Sequence, residues 1–316
     1  MENAVAAQKV EYLARSLKRC VLCPQICRVD RTAGAKGFCG LGAGMVVSSA
    51  LPHHGEEPPL SGTRGAGTIF FSSCNLRCVY CQNYQISHFP AAGRPVSVEE
   101  LAGIMLELEG RGCHNIEPVT PTPHLPGIMA AYLLARRRGL RVPLVLNCGG
   151  YEREKIVRLL DGMVDVYLPD FKYGTDEAGR LYSGARDYPR HSLASLREMV
   201  RQVGDELVIR DGVAKRGILV RHLVLPGGVD DSLAVLEMIR EVSTAIPLSL
   251  MAQYTPIAAV RHDPLLGRRV TRAEYERVVD AALDLGFEEL YTQEVDDRAL
   301  APDFDREQPF AWGGER

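Results

Sequence analysis

The residues with the clearest chemical capacity are three cysteines on one short stretch of chain. Cys74, Cys78 and Cys81 occur in the sequence CNLRCVYC, a C-x3-C-x2-C spacing, directly after an apolar run at 68–71 that is typical of a strand. Three thiolates on one loop can hold three irons of a cubane 4Fe–4S cluster and leave the fourth iron without a protein ligand. An iron with an open position can bind and reduce a small molecule, so this loop predicts a cofactor site.

The spacing, with the aromatic residue Tyr80 directly before the last cysteine, resembles the signature of the radical S-adenosylmethionine (SAM) superfamily. The resemblance implies a 4Fe–4S cluster whose open iron chelates the amino and carboxylate groups of SAM. It also implies an electron transfer that cleaves SAM to a 5′-deoxyadenosyl radical. A structural zinc site is the alternative for three close cysteines. Zinc sites favour paired C-x2-C knuckles in small loop-rich modules, whereas this motif is asymmetric and follows a strand.

Four further cysteines precede that loop with the spacing C-x2-C-x3-C-x11-C, and they are Cys20, Cys23, Cys27 and Cys39. Gly34, Gly37 and Gly40 allow the intervening backbone to turn tightly. Four thiolates suit either a closed structural zinc site or a fully ligated iron–sulfur cluster, and the sequence leaves these two open. A closed site has no position for SAM, so we expect this small N-terminal segment to act in folding or in electron relay.

The composition is typical of a cytosolic enzyme. The chain has 316 residues, of which 46% are hydrophobic, enough for a large buried core. Its net charge of −3 disfavours a nucleic-acid surface dominated by lysine and arginine. No apolar run approaches the length of a bilayer-spanning helix, and the N-terminal residues lack a hydrophobic signal core. Clustered cysteines in such a chain favour metal ligands over disulfides, so we expect a cytoplasmic protein.

Strand-like and helix-like patterns alternate along the rest of the chain. Two capping boxes, Ser97 with Glu100 and Thr271 with Glu274, predict helix starts. Besides the helix that begins after Ser97, helical patterns recur at 127–138, 152–160, 190–203, 230–243 and 271–285. Apolar strand-like runs fall between them, at 114–119, 142–146, 164–168, 218–220, 223–225 and 248–251. This alternation predicts an α/β fold with buried parallel strands, closed into a barrel or partial barrel.

Polar residues follow these strands at the ends where a barrel places its functional groups. They are Thr120 and Thr122, Asn147, Asp170 and Lys172, Arg221 and Gln253. A single polar residue at a strand end is more often a helix cap or a loop brace. Five strand ends in register with a cysteine-bearing first strand favour one shared site.

The longer motifs resemble a particular subgroup, the uncharacterised iron–sulfur proteins described as homologues of pyruvate formate-lyase activating enzyme. The matching stretches are CVLCPQICRVDR, GFCG, HHGEEPPLSG, GTIFFSSCNLRCVYCQNYQIS, NCGGYE, VDVYLPDFKY, LVRHLVLPGG and MAQYTP. They extend from residue 20 to about residue 256. The resemblance implies a radical SAM-type partial (β/α)6 barrel. The similarity to the activating enzymes themselves is looser, and it rests on CNLRCVYCQN, on the Asp170-x-Lys172 strand end and on RHLVLPGG.

The resemblance also implies roles for individual residues. Cys74, Cys78 and Cys81 would hold the cluster, and Tyr80 would present its backbone to the adenine of SAM. The remaining strand-end residues that would face SAM are Asn147, Asp170, Lys172, Arg221 and Gln253.

The sequence departs from the activating enzymes at two strand ends. Where they have a Gly-Gly-Glu stretch, this chain has TPTPH, so Thr120 and Thr122 would contact the SAM amino group through hydroxyls or backbone. A second departure replaces Asp-Thr-Asn with Asn-Cys-Gly, which removes a carboxylate.

The roles of the remaining reactive residues are less defined by the sequence. His53, His54, Glu56 and Glu57 form either a substrate or acid–base patch or a solvated loop. We expect Cys113 to fill apolar space. Two interpretations remain for Cys148, at a strand end: a redox or substrate role, or structural packing.

We therefore expect an oxidoreductase that abstracts hydrogen from an unidentified substrate, with flavodoxin or ferredoxin as electron donor. Its target would be a glycyl radical enzyme, or else a small molecule or peptide. The alternative from another class is a non-catalytic electron-transfer protein with two clusters. The expected parts are an N-terminal segment at 1–60, the barrel at 61–295 and a tail at 296–316.

Overall fold

The computed structural model describes residues 2–296 and 301–310, and within them the chain forms an α/β fold. In chain order the helices are α1 (Glu2–Arg15), α2 (Pro58–Ser61), α3 (Tyr84–Ser87), α4 (Val98–Gly110), α5 (Leu125–Arg137), α6 (Glu154–Leu159), α7 (Asp176–Ser183), α8 (Tyr188–Val203), α9 (Val229–Arg240) and α10 (Arg272–Asp284). The strands are β1 (Met45–His53), β2 (Ala66–Phe71), β3 (Arg94–Val96), β4 (Ile116–Val119), β5 (Val145–Cys148), β6 (Val166–Pro169), β7 (Leu207–Arg210), β8 (Val213–Ile218), β9 (Val220–Leu223), β10 (Leu248–Met251) and β11 (Leu290–Tyr291).

The central sheet is mostly parallel. Its strand order is β3-β1-β2-β4-β5-β6-β8-β7, and β2, β4, β5, β6 and β8 run parallel to their neighbours in this series. Strand β1 pairs antiparallel with β2 and β3, and β7 pairs antiparallel with β8. Strands β9, β10 and β11 form a second parallel sheet. The amide of Phe171, just after β6, donates to the carbonyl of Arg221 in β9 at 2.7 Å, which connects the two sheets.

The helix and strand pattern read from the sequence is confirmed in its main parts. Strand β10 has the predicted bounds, and both capping boxes are formed, with Ser97 and Thr271 as the N-cap residues. The strand predicted at 142–146 is found later in the chain, as β5. Pro143 has no amide hydrogen, and the amide of Leu144 donates to the Asp165 carboxylate at 2.8 Å, so the ladder begins later.

Strand β1 lies inside the predicted N-terminal segment but belongs to the central sheet, where it pairs along β2 from Val47 to His53. The predicted boundary at residue 60 stays a prediction. The predicted tail at 296–316 lies partly outside the described residues. Its described part, 301–310, contains turns and no helix or strand.

An apolar cluster fills the space below the strand ends. Leu60 of α2, Val145, Val166, Leu168 and Leu219 are all fully buried and belong to this cluster. Val145 and Val166 are the first residues of their strands, whereas the polar residues predicted for the site follow at the carboxyl ends. Apolar side chains therefore fill the interior near the start of the strands, and the polar side chains lie at the carboxyl ends, where a cofactor can be bound.

Candidate functional site

A cavity of about 600 Å³ opens at the carboxyl ends of the parallel strands. Of the residues predicted to hold the cluster or SAM, those that line it are Cys74, Cys78, Tyr80, Cys81, Thr120, Asn147, Asp170, Lys172, Arg221 and Gln253. His53, Glu56, Glu57 and the buried Cys148 line it as well. Its volume is in the range of cofactor and small-molecule sites. The structure thus brings the three-cysteine loop and the strand-end residues together, with the single exception of Thr122.

Each sulfur of the three-cysteine loop has a hydrogen-bonding neighbour. The amide of Leu76 donates to Sγ of Cys74 at 3.3 Å, and the hydroxyl of Ser183 donates to Sγ of Cys78 at 2.9 Å. Sγ of Cys81 lies 3.1 Å from the hydroxyl of Ser87. Burial, reinforced by the neighbouring cysteines, raises the pKa of Cys74 well above its ordinary value. Three cysteines that line one cavity match the donor set of a cubane cluster, and iron would supply the positive charge that thiolates need here.

A chain of hydroxyl groups leads to one of these sulfurs. The hydroxyl of Tyr80 donates to that of Tyr173 at 2.8 Å, and the Tyr173 and Ser183 hydroxyls are 2.5 Å apart. Because Ser183 in turn donates to Cys78, the chain fixes the Tyr80 side chain beside the cysteine loop. Sequence reasoning missed Tyr173 and Ser183, which approach the loop only through the fold.

Asp170 and Lys172 form an ion pair at the end of β6, with Nζ of Lys172 2.5 Å from Oδ2 of Asp170. Gly150 makes this arrangement possible. It has a φ of +75°, and a β-carbon there would lie 2.0 Å from the carbonyl oxygen of Asp170. Only glycine fits such a close approach of two backbones.

Arg221 also lines the cavity, but two acidic residues already bind its guanidinium. Nε of Arg221 donates to Oε1 of Glu57 at 2.9 Å, and Nη2 donates to Oε2 of the same residue at 2.5 Å. Nη2 also donates to Glu56. Burial opposes ionisation of Glu57, yet the Arg221 guanidinium outweighs it and lowers the pKa of Glu57. Both acidic side chains are 8% exposed, and His53 is buried, so the interpretation as a solvated loop does not fit these three residues. It does fit His54, which is exposed.

Glu117 does not line the cavity but contacts a residue that does, and sequence reasoning missed it. It lies in β4 and is fully buried. Nδ2 of Asn147 donates to its Oε1 at 2.8 Å, whereas its Oε2 has no hydrogen-bond partner among the described residues. Burial, with Glu56 nearby, raises the pKa of Glu117 well above its ordinary value. The signal in the sequence was a charged residue inside the otherwise uncharged strand Ile116–Val119.

The two threonines predicted for the site differ in position, since one lines the cavity and the other does not. Thr120 lines the cavity in a left-handed conformation, with a φ of +57°, which is strained for a β-branched residue. Thr122 lies outside the cavity, because its buried hydroxyl donates to Oε1 of Glu152 at 2.7 Å. A hydroxyl held in this way does not face the cavity. The prediction that the Thr122 hydroxyl contacts SAM therefore has no support from its position.

Gln253 is held at the cavity by two other glutamines. Nε2 of Gln293 donates to its Oε1 at 3.1 Å, and Nε2 of Gln82 donates to its backbone carbonyl at 2.9 Å. Both partners line the cavity, although neither was predicted to.

The four N-terminal cysteines surround a second, much smaller cavity, lined by Cys20, Cys23, Cys27 and Cys39. The amide of Phe38 donates to Sγ of Cys27 at 3.2 Å. Burial raises the pKa of Cys23 far above its ordinary value, and Cys20 and Cys27 add to the rise. Within residues 2–296 and 301–310, no three cysteine, histidine or acidic side chains converge into a metal-ion binding group. This finding covers both cysteine sets, and metal binding by the four-cysteine site stays a prediction.

The N-terminal segment contacts the three-cysteine loop directly. Nε2 of Gln25 donates to the carbonyl of Asn75 at 3.1 Å, and the hydroxyl of Ser73 donates to the carbonyl of Cys39. These two bonds flank Cys74. The guanidinium of Arg77 then donates to the carbonyl of Phe38 at 2.7 Å. The segment thereby fixes the backbone of the loop.

Fold and site together define an α/β protein whose mostly parallel sheet presents three cysteines and a set of polar groups to one cavity. A sequence model of the radical SAM superfamily matches residues 68–239, more than half of the chain. The chain belongs to the radical SAM superfamily.

Two curated proteins of Methanocaldococcus jannaschii are similar to this chain. The first is 29% identical over 291 residues, which are 90% of this chain and 80% of the relative. The second is 26% identical over 182 residues, which are 52% of this chain and 53% of the relative. Both are named as uncharacterized proteins, so they do not confirm the resemblance to activating-enzyme homologues.

Superfamily membership implies reductive cleavage of SAM at an iron–sulfur cluster. It therefore supports an enzyme with a 4Fe–4S cluster and SAM as cofactors. None of the helices in the described part of the chain has the length and apolar character needed to cross a bilayer.

Proposed function

We propose that this enzyme cleaves SAM in the 600 Å³ cavity and uses the 5′-deoxyadenosyl radical to abstract hydrogen from a substrate. The observation that carries the proposal is the convergence of the three-cysteine loop and six strand-end residues on this one cavity. The bound cluster would supply the electron for the cleavage and an open iron for chelation of SAM. The protein's own contribution is to bind, orient and shield the cofactor.

The side chains divide this work by position. Cys74, Cys78 and Cys81 hold the cluster, and their hydrogen-bond donors stabilise thiolates. The backbone of Tyr80 would bind the adenine, and the hydrogen bond from the Tyr80 hydroxyl to Tyr173 would keep this residue in place. The remaining groups that orient SAM are Thr120, Asn147, Asp170, Lys172 and Gln253. Arg221 acts through its pairing with Glu56 and Glu57 and so leaves the SAM carboxylate to other donors.

A partial (β/α)6 barrel would account for how these residues converge. The parallel strands β2, β4, β5 and β6 continue into β9 and β10 through the backbone bond from Phe171 to Arg221. Six strands in this order would curve around the cavity that their carboxyl ends line.

Residues 301–310 help to exclude water from the cavity. Pro302 and Phe310 line it, and the Phe310 ring centroid lies 5.1 Å from that of Phe70 and 4.2 Å from that of His53. Water exclusion matters because a carbon radical must meet its substrate before it meets another hydrogen donor.

The four N-terminal cysteines are proposed to bind a second metal centre, either zinc or an iron–sulfur cluster. Their common cavity, and the hydrogen bonds that Gln25 and the carbonyl of Cys39 make with the three-cysteine loop, support a role in ordering that loop or in passing electrons to it. The electron donor would be a flavodoxin or ferredoxin in the cytoplasm. The substrate would be a glycyl radical enzyme or, as the alternative, a small molecule or peptide. The alternative function, a non-catalytic electron-transfer protein with two clusters, would account for the cysteines but not for the polar residues at the strand ends.

The test is anaerobic reconstitution followed by addition of dithionite and SAM. We expect 5′-deoxyadenosine from the wild-type chain and none from Cys78→Ala, because the latter lacks one cluster ligand. Cys113→Ala is the matched control, since Cys113 is buried in the apolar core away from the cavity and should leave the yield unchanged. If the wild-type chain shows a 4Fe–4S signal and still forms no 5′-deoxyadenosine, the proposed function is wrong.

A further inference from the structure

The described C-terminal residues, 301–310, form part of the cavity wall, and we call them the C-terminal strap. Pro302 and Phe310 line the cavity, as does Phe70 of β2. The ring centroid of Phe304 lies 5.3 Å from that of Phe70. Phe304 and Phe310 also pack against an apolar cluster that contains Phe70 and Ile86. The strap therefore contacts the cavity through its aromatic side chains.

The side chain of Gln85 holds the strap by three hydrogen bonds. Its Nε2 donates to Oδ1 of Asp303 at 3.1 Å and to Oδ2 of Asp305 at 3.0 Å. Its Oε1 accepts from the amide of Phe304 at 2.9 Å. The bond from Gln85 lowers the pKa of Asp303, so this carboxylate is ionised at neutral pH. Bonds to ionised carboxylates are stronger than bonds between neutral groups, which makes Gln85 an effective anchor.

Helix α3, which carries Gln85, also contacts the three-cysteine loop. The hydroxyl of Ser87 lies 3.1 Å from Sγ of Cys81. The amide of Ser73, directly before the first cysteine of the loop, donates to the carbonyl of Ile86 at 2.8 Å. One short helix thus fixes both the strap and the loop that would hold the cluster.

The strap has a turn structure of its own and belongs to neither sheet. The amide of Asp303 donates to the carbonyl of Pro309 at 2.9 Å, and the amide of Arg306 donates to the carbonyl of Asp303 at 3.1 Å. A segment that side chains hold in place opens at a lower free energy than a strand within a sheet. Segments of this kind can open to admit a cofactor and then close over it.

We propose that Gln85 is a positioning residue that holds the C-terminal strap closed over the cavity and thereby retains SAM. The inference rests on the proposed function, because it assigns the retention of SAM in the same cavity to this contact. Gln85 does not line the cavity. It acts through the strap, whose Pro302 and Phe310 do line it.

The first experiment weakens the anchor and measures the release of SAM. Gln85→Glu keeps the size of the side chain but removes the N–H donors and places a third carboxylate beside Asp303 and Asp305, which repel it. Radiolabelled SAM is bound to the reconstituted full chain without reductant and then chased with unlabelled SAM. We expect SAM to dissociate at least about tenfold faster from Gln85→Glu than from the wild type.

Trypsin cleavage at Arg306 reports on the strap directly. Arg306 is exposed, but a protease needs the flanking residues in an extended conformation, so the cleavage rate follows the opening of the strap. Mass spectrometry identifies the fragment that ends at Arg306. We expect SAM to slow this cleavage at least about threefold in the wild type, because a ligand of the closed state stabilises that state. With SAM bound, Gln85→Glu should be cleaved about tenfold faster than the wild type.

Further variants separate anchoring from a general loss of structure. Asp305→Ala removes one bond at an exposed position, so it should fold and should also speed the release of SAM, by a smaller factor. Asp305→Asn provides an N–H donor, so combining it with Gln85→Glu should recover part of the lost retention. Gln8→Glu is the matched control: it makes the same chemical change on the exposed surface of α1 and should leave SAM release unchanged.

Release of SAM at the wild-type rate from both Gln85→Glu and Asp305→Ala would overturn this inference, and so would equal cleavage at Arg306 in the wild type and Gln85→Glu. The proposed function is judged separately by 5′-deoxyadenosine formation. A chain that forms 5′-deoxyadenosine, but whose two variants release SAM as slowly as the wild type, retains the proposed function and loses the role of Gln85.

Discussion

At the scale of single residues, burial determines which polar groups are available for chemistry. Glu57 and Glu117 have the same side chain, yet Arg221 lowers the pKa of the first and burial raises that of the second. Thr120 and Thr122 are two positions apart, but only Thr120 lines the cavity. In both comparisons the residue type is the same and the contacts differ. The contacts therefore determine the pKa of each glutamate and whether each threonine lines the cavity.

A buried histidine beside the cysteine loop gives a prediction for stability. His124 donates from Nε2 to the carbonyl of Ser72 at 2.8 Å, and its Nδ1 has no partner among the described residues. Burial lowers the pKa of His124 from 6.5 to about 4. Because the unfolded chain then binds a proton that the folded chain does not, stability is complete above about pH 6.5 and is lost as the pH falls towards about 4.

We expect His124→Gln to reduce this loss by up to about 3 kcal/mol, since glutamine can donate to the same carbonyl and does not titrate. Urea unfolding at several pH values measures the effect. His262→Gln is the control, because His262 is exposed. An unchanged pH slope in His124→Gln would show that His124 does not carry the dependence.

At the scale of elements, the N-terminal segment and the central sheet are joined more closely than their sequences indicate. The segment contacts the three-cysteine loop through Gln25 and Cys39, and β1 extends the sheet by pairing with β2. Helix α1 also packs against α5. The segment before β1 nevertheless contains only short 3-10 turns after α1, so it has little regular structure of its own.

Such a segment should depend on its metal for order, because small metal modules fold only when ligated. We expect Cys23→Ala to make the residues before β1 sensitive to limited proteolysis. Cys78→Ala should keep them protected, since the strands and helices of the two sheets should not depend on the three-cysteine cluster. Equal protection of this segment in wild type and Cys23→Ala would contradict a closed metal site.

At the scale of the whole molecule, two cysteine sets face two separate cavities. One cavity is large and receives groups from both sheets, whereas the other is small and enclosed by the N-terminal segment, Asn75, Thr122 and Pro123. This separation suits one centre that reacts and another that does not. Phe304 and Phe310, from the described C-terminal residues, contact Phe70, which lines the large cavity.

Metal analysis of purified protein should separate the two centres. We expect Cys78→Ala to lose about four irons per chain and to retain the metal of the N-terminal site. In the wild type, about four irons with one zinc indicates a zinc site, and about eight irons indicates two cubanes. If Cys78→Ala lost the metal of both sites together, the two cysteine sets would not be independent.

The sequence by itself determined the chemistry of the cysteine loop, the parallel α/β pattern and the two capping boxes. Those features depend on local spacing: ligands on one loop, apolar periodicity within one element, and a cap three residues from its acid. The strand-end set was predictable as well, because parallel strands place their carboxyl ends at one edge.

Only the tertiary structure decided which of these groups face the cavity and which are already paired. Glu57 binds Arg221 across 164 positions, and Gln82 meets Gln253 across 171. Such contacts depend on strand register and on burial, which no local pattern encodes. The same holds for Glu117, whose Oε2 has no hydrogen-bond partner among the described residues because of its strand position and its burial, while Asn147 of the neighbouring strand binds the other oxygen.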